Sequence, residues 1–556
     1  MPDRSYPGST GGAVKVPSSG PTTGGEWVPR EGASWAVLAA VLLFALAVRA
    51  AAYSGFFGSD EVTYTGSAFQ LLHGDWSVSN YVGANRYGIN LPVAALALVF
   101  GQNEFSAALY SVLCSLAEIA LVVFFGSQLL GARAGLLAGL LLASLPGHAH
   151  FAGRLMADAP LALAVTASFL CFLLGELRGS WRCWFFSGIA AGVSFWIKPA
   201  AVIYLGVFLV YPLVFWQFNR RWVWVVAGFA MMVLANSLFF WALTGKFWFI
   251  FESMRSNVNA IQADADPAIA LAAPRANEPL YYYLVYLFFK VYHTWLIGPL
   301  AVMAAAVWWR TRRDLNANAD RALQYIFFWA VGVLLILSLF FVSLKPLVLV
   351  LKQTNYMLMF MAPLCLLAGF TLSRLQGWAL WAGAALCIIP GILLALLLQS
   401  SVMVFTSNSK AALAFARNHP EAVVYASTNA FRAAQFSELV RPDVLTPVIH
   451  TLDELTGPSA KADRPDIPLF AIVDLNTADW GSGNLIRSLK DVPACWVSDG
   501  RLTPELDGLG LRMLAMAQRW VHAAPFPFAA SLADRLSALA TPGPAYVYRV
   551  AGKSCL

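Results

Sequence analysis

Apolar residues run in long blocks along this chain instead of alternating with polar ones. Measured against the roughly 20 residues that a helix needs to cross a bilayer, about eleven blocks predict membrane helices. They lie near residues 34–53, 105–126, 133–147, 157–175, 183–197, 199–217, 222–244, 282–309, 323–343, 354–373 and 378–399. The third is short and predicts a tilted or incomplete span. Composition agrees with the pattern: the 556 residues are 59% hydrophobic and 12% charged, where soluble proteins carry about 25% charged residues. The sequence therefore predicts an α-helical polytopic membrane protein.

The two ends read differently. Residues 1–33 are rich in Gly, Pro, Ser and Thr and predict a disordered tail. They lack the apolar core of a signal peptide, so the first span reads as an uncleaved anchor. The membrane domain covers 34–400. Beyond it, residues 401–556 alternate short β-like runs (Val423–Ser427, Pro468–Leu475, Ala494–Ser498, Ala545–Val550) with helical stretches such as Lys410–Asn418 and Asn484–Lys490. Pro and Gly punctuate these runs, which predict a small α/β domain. None of its helices opens on a Gly-rich phosphate loop, which argues against a nucleotide site.

Charge adds orientation. The net charge of +7 comes mostly from arginines in alternate loops: Arg133, Arg178 with Arg182, Arg220 with Arg221, Arg310 with Arg312 and Arg313, and Arg374. The positive-inside rule puts those loops in the cytoplasm, and nucleic acid is not needed to explain them. The other face then receives the first outer loop (54–104), residues 245–280, the loop 345–352 and everything after Ser400. Of the seven cysteines, only Cys495 and Cys555 fall in the outer domain, where a disulfide between them is expected.

Candidate chemistry collects on that outer face. Asp60 and Glu61 follow the first span within a few residues. Adjacent carboxylates at a membrane surface either stay solvated, cap a helix, or do chemistry. A general base for an acceptor hydroxyl fits a carboxylate. Lys198 ends a span on the same face, where it either snorkels to the interface or awaits a leaving anion. Arg255, Arg275, Lys345 and Lys352 share its side of the membrane. Asp158 could orient a substrate or cap its helix. His148 and His150 form an HxH pair near two acids, a weak metal candidate; no metal or other cofactor is otherwise called for.

The order of motifs carries a resemblance. Asp60-Glu61, Leu71-Leu72-His73-Gly74-Asp75-Trp76, Arg86-Tyr87-Gly88-Ile89-Asn90-Leu91-Pro92 and Phe100-Gly101-Gln102-Asn103-Glu104 follow one another in the first outer loop. Arg154–Pro160 then places an acid at the outer end of a span. Gly188–Pro199 ends in a lysine, and Lys352–Pro363 sets a basic residue and a tyrosine before a proline. This succession resembles the GT-C membrane glycosyltransferases, in the branch of the dolichyl-phosphate-mannose–protein mannosyltransferases and the lipid A aminoarabinose transferases. It departs from the family's Tyr-x-x-Lys-Pro-Pro, since Arg86–Pro92 lacks both the lysine and its neighbouring acid. Arg86 would then supply the missing charge.

The resemblance implies a GT-C fold and inverting transfer of a sugar from a polyprenyl-phosphate donor to an envelope lipid, glycan or protein. The site would face the periplasm of a bacterial inner membrane. Asp60, Glu61 and Asp158 become the catalytic candidates. Lys198, Arg86, Arg255, Lys345 and Lys352 become candidates for the donor phosphate, and Tyr64, Tyr87, Arg154 and Tyr356 for the substrate pocket. A flippase for lipid-linked glycans would instead predict charges near mid-membrane and related halves. A non-catalytic assembly protein would use the outer domain to bind a partner.

Overall fold

The computed structural model describes residues 34–79, 81–264, 279–344, 347–441, 448–456, 467–477, 486, 488–504, 506–523 and 528–550. Ser34 opens the first helix, α1 (Trp35–Ala51), by accepting the Val37 N–H, as a helix N-cap should. The first outer loop then holds two more helices, α2 (Asp60–Leu72) and α3 (Tyr87–Phe100). Asn103 and Ser106 form a capping box that starts α4 (Glu104–Leu130).

The remaining helices up to the C-terminal unit follow in order: α5 (Ala132–Ser144), α6 (Pro146–Ala152), α7 (Asp158–Arg178), α8 (Trp181–Ile197), α9 (Gly206–Phe215), α10 (Val223–Thr244), the polar α11 (Phe249–Asp264), α12 (Tyr282–Phe288), α13 (Ile297–Thr311), α14 (Ala317–Leu339), α15 (Leu358–Ser373) and α16 (Gly377–Asn418). A short hairpin, β1 (Phe341–Leu344) with β2 (Leu347–Leu349), precedes α15. The helices α7 and α15 form the buried centre, while α10 and α16 run along the periphery.

Among the described residues, six helices are long and apolar enough to cross a bilayer, or seven if the bent pair α5–α6 counts as one. The expected eleven spans are thus not eleven full-length helices. Pro146, at the first position of α6, bends the third stretch by 61°. The stretch 282–309 is interrupted between α12 and α13, where Trp295 adopts a positive φ. The first and sixth stretches make shorter helices. Irregular backbone of this kind survives in a membrane only where protein surrounds it, and Pro146 and Gly147 are buried.

Small residues let the helices close up. A Cβ on Gly188 of α8 would stand 2.1 Å from the Val225 carbonyl, and one on Gly228 of α10 would stand 2.3 Å from that of Phe185. The two glycines bring these helices into backbone contact.

The loops rich in arginine gather at one end of the bundle. There Arg178 donates to Gln128 and Arg221 to the Gly179 carbonyl. Glu176 accepts from Trp184, Trp222, Tyr211 and Arg321, so one carboxylate ties five segments together. Asp60, Asp158 and Lys198 occupy the other end.

The helix α16 runs unbroken for 42 residues, so no boundary at residue 400 interrupts the backbone. It leads into a five-stranded sheet of β3 (Val423–Ala426), β4 (Ile449–Thr451), β5 (Leu469–Asp474), β6 (Trp496–Arg501) and β7 (Ala545–Val550), in the order β4-β3-β5-β7-β6. β3 pairs in parallel with β4 and β5, and β7 is antiparallel to β5 and β6. The helices α17 (Thr428–Val440), α18 (Leu452–Thr456), α19 (Leu509–His522) and α20 (Ala529–Ala540) complete the unit. Three of the four expected strands are present within one residue, and the expected 494–498 strand is shifted to Trp496–Arg501. Of the expected helix 484–490, residues 484, 485 and 487 lie outside the described residues, and its end forms only a short 3-10 turn, Leu489–Asp491. Cys495 is disulfide-bonded; Cys555 lies outside the described residues.

Candidate functional site

The turn before α2 builds the first half of the site. Gly58, at φ +86°, lets the chain reverse, and the two acids that follow take different roles. Glu61 is 3% exposed and points back into the turn. It accepts the N–H groups of Phe57 at 2.5 Å, Gly58 at 3.1 Å and Ser59 at 3.3 Å, and Arg154 stands 3.7 Å away. Its acceptor sites are spoken for, so Glu61 shapes the loop and is poorly disposed to take a proton. Asp60 is 43% exposed at its side chain and opens outward. Tyr64, one helical turn on, donates to it at 3.1 Å, and Arg86 lies 4.0 Å away. Arg86 also donates to the Tyr64 hydroxyl.

The second half forms where the C-terminus of α8 meets the N-terminus of α7. Asp158 is the first residue of α7, and 2% of its side chain is exposed. Its Oδ2 accepts from Asn355 at 2.9 Å, and its Oδ1 faces Lys198 Nζ at 3.5 Å. The same ammonium sits 4.1 Å from the centre of the Tyr356 ring, a cation–π contact. Arg86 joins the halves: burial lowers its pKa, while the charges of Asp60 and Asp158 and the Tyr356 hydroxyl raise it. The line Asp60–Tyr64–Arg86–Asp158–Lys198–Tyr356 therefore alternates in sign across the outer end of the bundle. Such a line offers one exposed carboxylate at its edge and two cations behind it.

The outer domain sits on this turn. Arg432 of α17 donates to the Ser59 carbonyl at 3.2 Å. A Cβ on Gly58 would meet Asn429 Oδ1 at 2.4 Å. Phe436 packs on Phe56 at 4.8 Å, and Phe405 stacks on Phe57 at 5.0 Å. Asp60 and Arg432 both act on the Tyr81 hydroxyl, whose pKa burial raises first, Asp60 further and Arg432 opposes. Sequence reasoning missed Asn355, Asn429 and Arg432, which become legible only when distant segments meet.

Other expected site residues lie elsewhere. Tyr87 is turned away from Asp60, edge-on to Phe239 at 4.6 Å and to Phe240 at 5.6 Å, because these aromatic rings of α10 bury its face. Arg154 stands 3.7 Å from Glu61 and 4.4 Å from the centre of the Phe57 ring, and so supports the turn. Arg255 is exposed on α11 and joins none of these contacts. Lys352 is buried just before Tyr356. Arg275 and Lys345 lie outside the described residues.

The two histidines part company. His148 Nδ1 lies 2.7 Å from Arg49 Nη2, and its Nε2 lies 3.0 Å from Glu118 Oε2. Arginine can only donate, so Nδ1 accepts and the ring proton sits on Nε2, donating to Glu118. Thr166 donates to the other Glu118 oxygen at 2.9 Å, and Arg49 Nε to Ser115 at 2.7 Å. His150 instead packs edge-on to Phe151. Among the described residues no three His, Cys, Asp or Glu side chains gather as a metal site. Arg49 and Glu118 were visible in the sequence as charges inside apolar blocks, a signal that by default deserves a partner.

Comparison with known proteins bears on the fold. Residues 89–241 match the family model described as dolichyl-phosphate-mannose-protein mannosyltransferase. No curated protein matches the chain in sequence. The fold is similar to that of ArnT from Cupriavidus metallidurans bound to undecaprenyl phosphate, with TM-score 0.54 and 16% identity over 80% of this chain and 94% of that one. The apo form of that protein matches with TM-score 0.51 and 17% identity, over 80% of this chain and 96% of that one. The Archaeoglobus fulgidus oligosaccharyltransferase in complex with zinc and sulfate matches with TM-score 0.50 and 13% identity, over 83% of this chain and 71% of that one. The family match and the shared fold together support a membrane glycosyltransferase of the GT-C superfamily.

Proposed function

We propose that this chain transfers a sugar from a polyprenyl-phosphate donor to an envelope lipid, glycan or protein, at the periplasmic face of a bacterial inner membrane, with inversion at the anomeric carbon. The observation that carries this reading is the alternating line from Asp60 to Lys198, with the exposed carboxylate at one end and buried cations at the other. The similar fold that holds undecaprenyl phosphate supports the class of donor.

In this reading the acceptor hydroxyl approaches Asp60, which takes its proton as the new sugar–oxygen bond forms. The bond from the sugar to the phosphate oxygen breaks on the opposite side, and the electron pair leaves with the polyprenyl phosphate. Arg86 and Lys198 face that developing charge. They are held in place before the reaction by Tyr64, Asp158 and Tyr356, which is what makes electrostatic stabilisation effective. Asp158 holds the Lys198 ammonium in place; Tyr64 bridges Asp60 and Arg86, keeping both within reach of one substrate.

The test is reconstitution of the purified protein with polyprenyl-phosphate sugars and envelope extracts, scoring release of polyprenyl phosphate together with a glycosylated product. Release that persists unchanged in Asp60→Asn would overturn the reading.

A further inference from the structure

The arginine-rich end of the bundle, opposite the site above, holds two cavities that run into one another. The first is an apolar groove of about 1000 Å³ between α1, α5 and α16, walled by Val37, Leu137, Leu140, Leu380, Ala385 and Ile388. The second is a polar pocket of about 400 Å³ between the start of α5, the residues after α13 and the end of α15, bordered by Arg133, Asp314, Ser373 and Arg374. Ala132 and Arg133 line both. The groove opens sideways: Trp381 is 74% and Ile389 57% exposed on its wall. In a protein that spans a bilayer, a lateral opening of this kind faces acyl chains.

We infer that the joined cavities bind one anionic phospholipid of the surrounding bilayer, with its phosphate between Arg133 and Arg374 and its chains in the groove. Three features argue for that occupant over a neutral one. Apolar and basic parts meet at Arg133, so a single amphipathic anion satisfies both. The pocket's two arginines outweigh its one carboxylate, and Asp314 can accept a headgroup hydroxyl. Basic pockets between membrane helices on the cytoplasmic side favour anionic headgroups on electrostatic grounds. The Arg374 guanidinium lies 4.7 Å from the centre of the Phe370 ring, a cation–π contact at the edge of the pocket. A groove of this volume lies at the upper end of ordinary ligand sites, roughly 300–1000 Å³. The site is separate from sugar transfer and would tie folding or activity to the lipid composition of the leaflet.

The test is native mass spectrometry of the full chain released from detergent, after mixing with phosphatidylglycerol or phosphatidylcholine. Wild-type protein should retain one phosphatidylglycerol in preference to phosphatidylcholine. Arg133→Ala and Arg374→Ala should each reduce that preference about fivefold, the equivalent of about 1 kcal/mol per basic residue near a lipid surface. Ala385→Trp, which fills the groove without changing charge, should displace both lipids. Thermal unfolding and gel filtration report whether each variant remains folded. Equal retention of the two lipids by wild-type protein would overturn the inference. So would an undiminished preference in the folded double arginine variant, or a second protein copy in place of the lipid.

Discussion

Lys198 Nζ stands 3.5 Å from Asp158 Oδ1, so the residue that caps the end of α8 is paired with the first residue of its predecessor α7. The pair is almost fully buried, and losing one partner leaves the other charge stranded at a cost of roughly 2–5 kcal/mol. Lys198→Ala is therefore expected to weaken binding of a polyprenyl phosphate by at least tenfold, read by isothermal titration in detergent, and Lys198→Arg to restore part of it. Asp158→Asn should mimic the loss partly, because the amide keeps the Asn355 contact but not the charge.

Asp60 answers a different measurement. Asp60→Asn should lower single-turnover transfer by about 10²–10⁴-fold, the usual contribution of a general base, while donor affinity changes little. Glu61→Gln should behave in the opposite way: it disturbs a carboxylate that accepts three backbone N–H groups, so melting temperature falls before the chemical step does. A variant of Glu61 that folds normally and loses all turnover would exchange the two roles.

The contact between α17 and the turn at Gly58 makes a further prediction. Arg432→Ala removes the donor on the Ser59 carbonyl and a positive charge near Asp60, and turnover should fall several-fold with donor binding retained. Gly58→Ala combines a positive φ with a clash against Asn429 and should be worse. Truncating Asn429 to Ala beside it should relieve the clash but not the backbone strain, giving partial rescue. Additive losses in that double variant would mean the two residues do not meet.

Inside the membrane, Glu118→Leu would strand Arg49 in the apolar core. Breaking a buried charge network of this kind costs about 3–5 kcal/mol, which thermal unfolding in detergent should report as a large drop. Arg49→Leu combined with Glu118→Leu should recover much of it, since an apolar replacement of both partners leaves no stranded charge. If the double variant is as unstable as the sum of the singles, the two side chains are not coupled through His148.

How much of this could be read from residues alone depended on distance along the chain. The loop order, the exposed Asp60, Lys198 at a helix end and Tyr356 before Pro363 are local patterns, and the structure brings them together. The aromatic surroundings of Tyr87 were hidden, because Phe239 and Phe240, its neighbours in space, lie some 150 residues away. The pairing of Arg154 with Glu61 was likewise hidden, because only the folded turn brings the two together. Counting apolar blocks located the membrane helices but not their breaks. Pro146 bends one, and in the irregular segment between α12 and α13 Thr294 donates to the Tyr286 carbonyl and Trp295 to the Leu386 carbonyl, each at 2.8 Å.

The helix α16 is at once a membrane span and the stalk of the outer domain. At 1.5 Å per residue its 42 residues make a rod of roughly 63 Å, about twice the hydrocarbon thickness of a bilayer. A rod of that length acts as a lever. A change in tilt of about 5° moves a point about 27 Å beyond the membrane by roughly 2 Å, far more than the hydrogen bond from Arg432 to Ser59, at 3.2 Å, can absorb. Helices answer a thicker or thinner bilayer by tilting, so the thickness of the surrounding lipid sets how firmly the outer domain presses on the turn that carries Asp60.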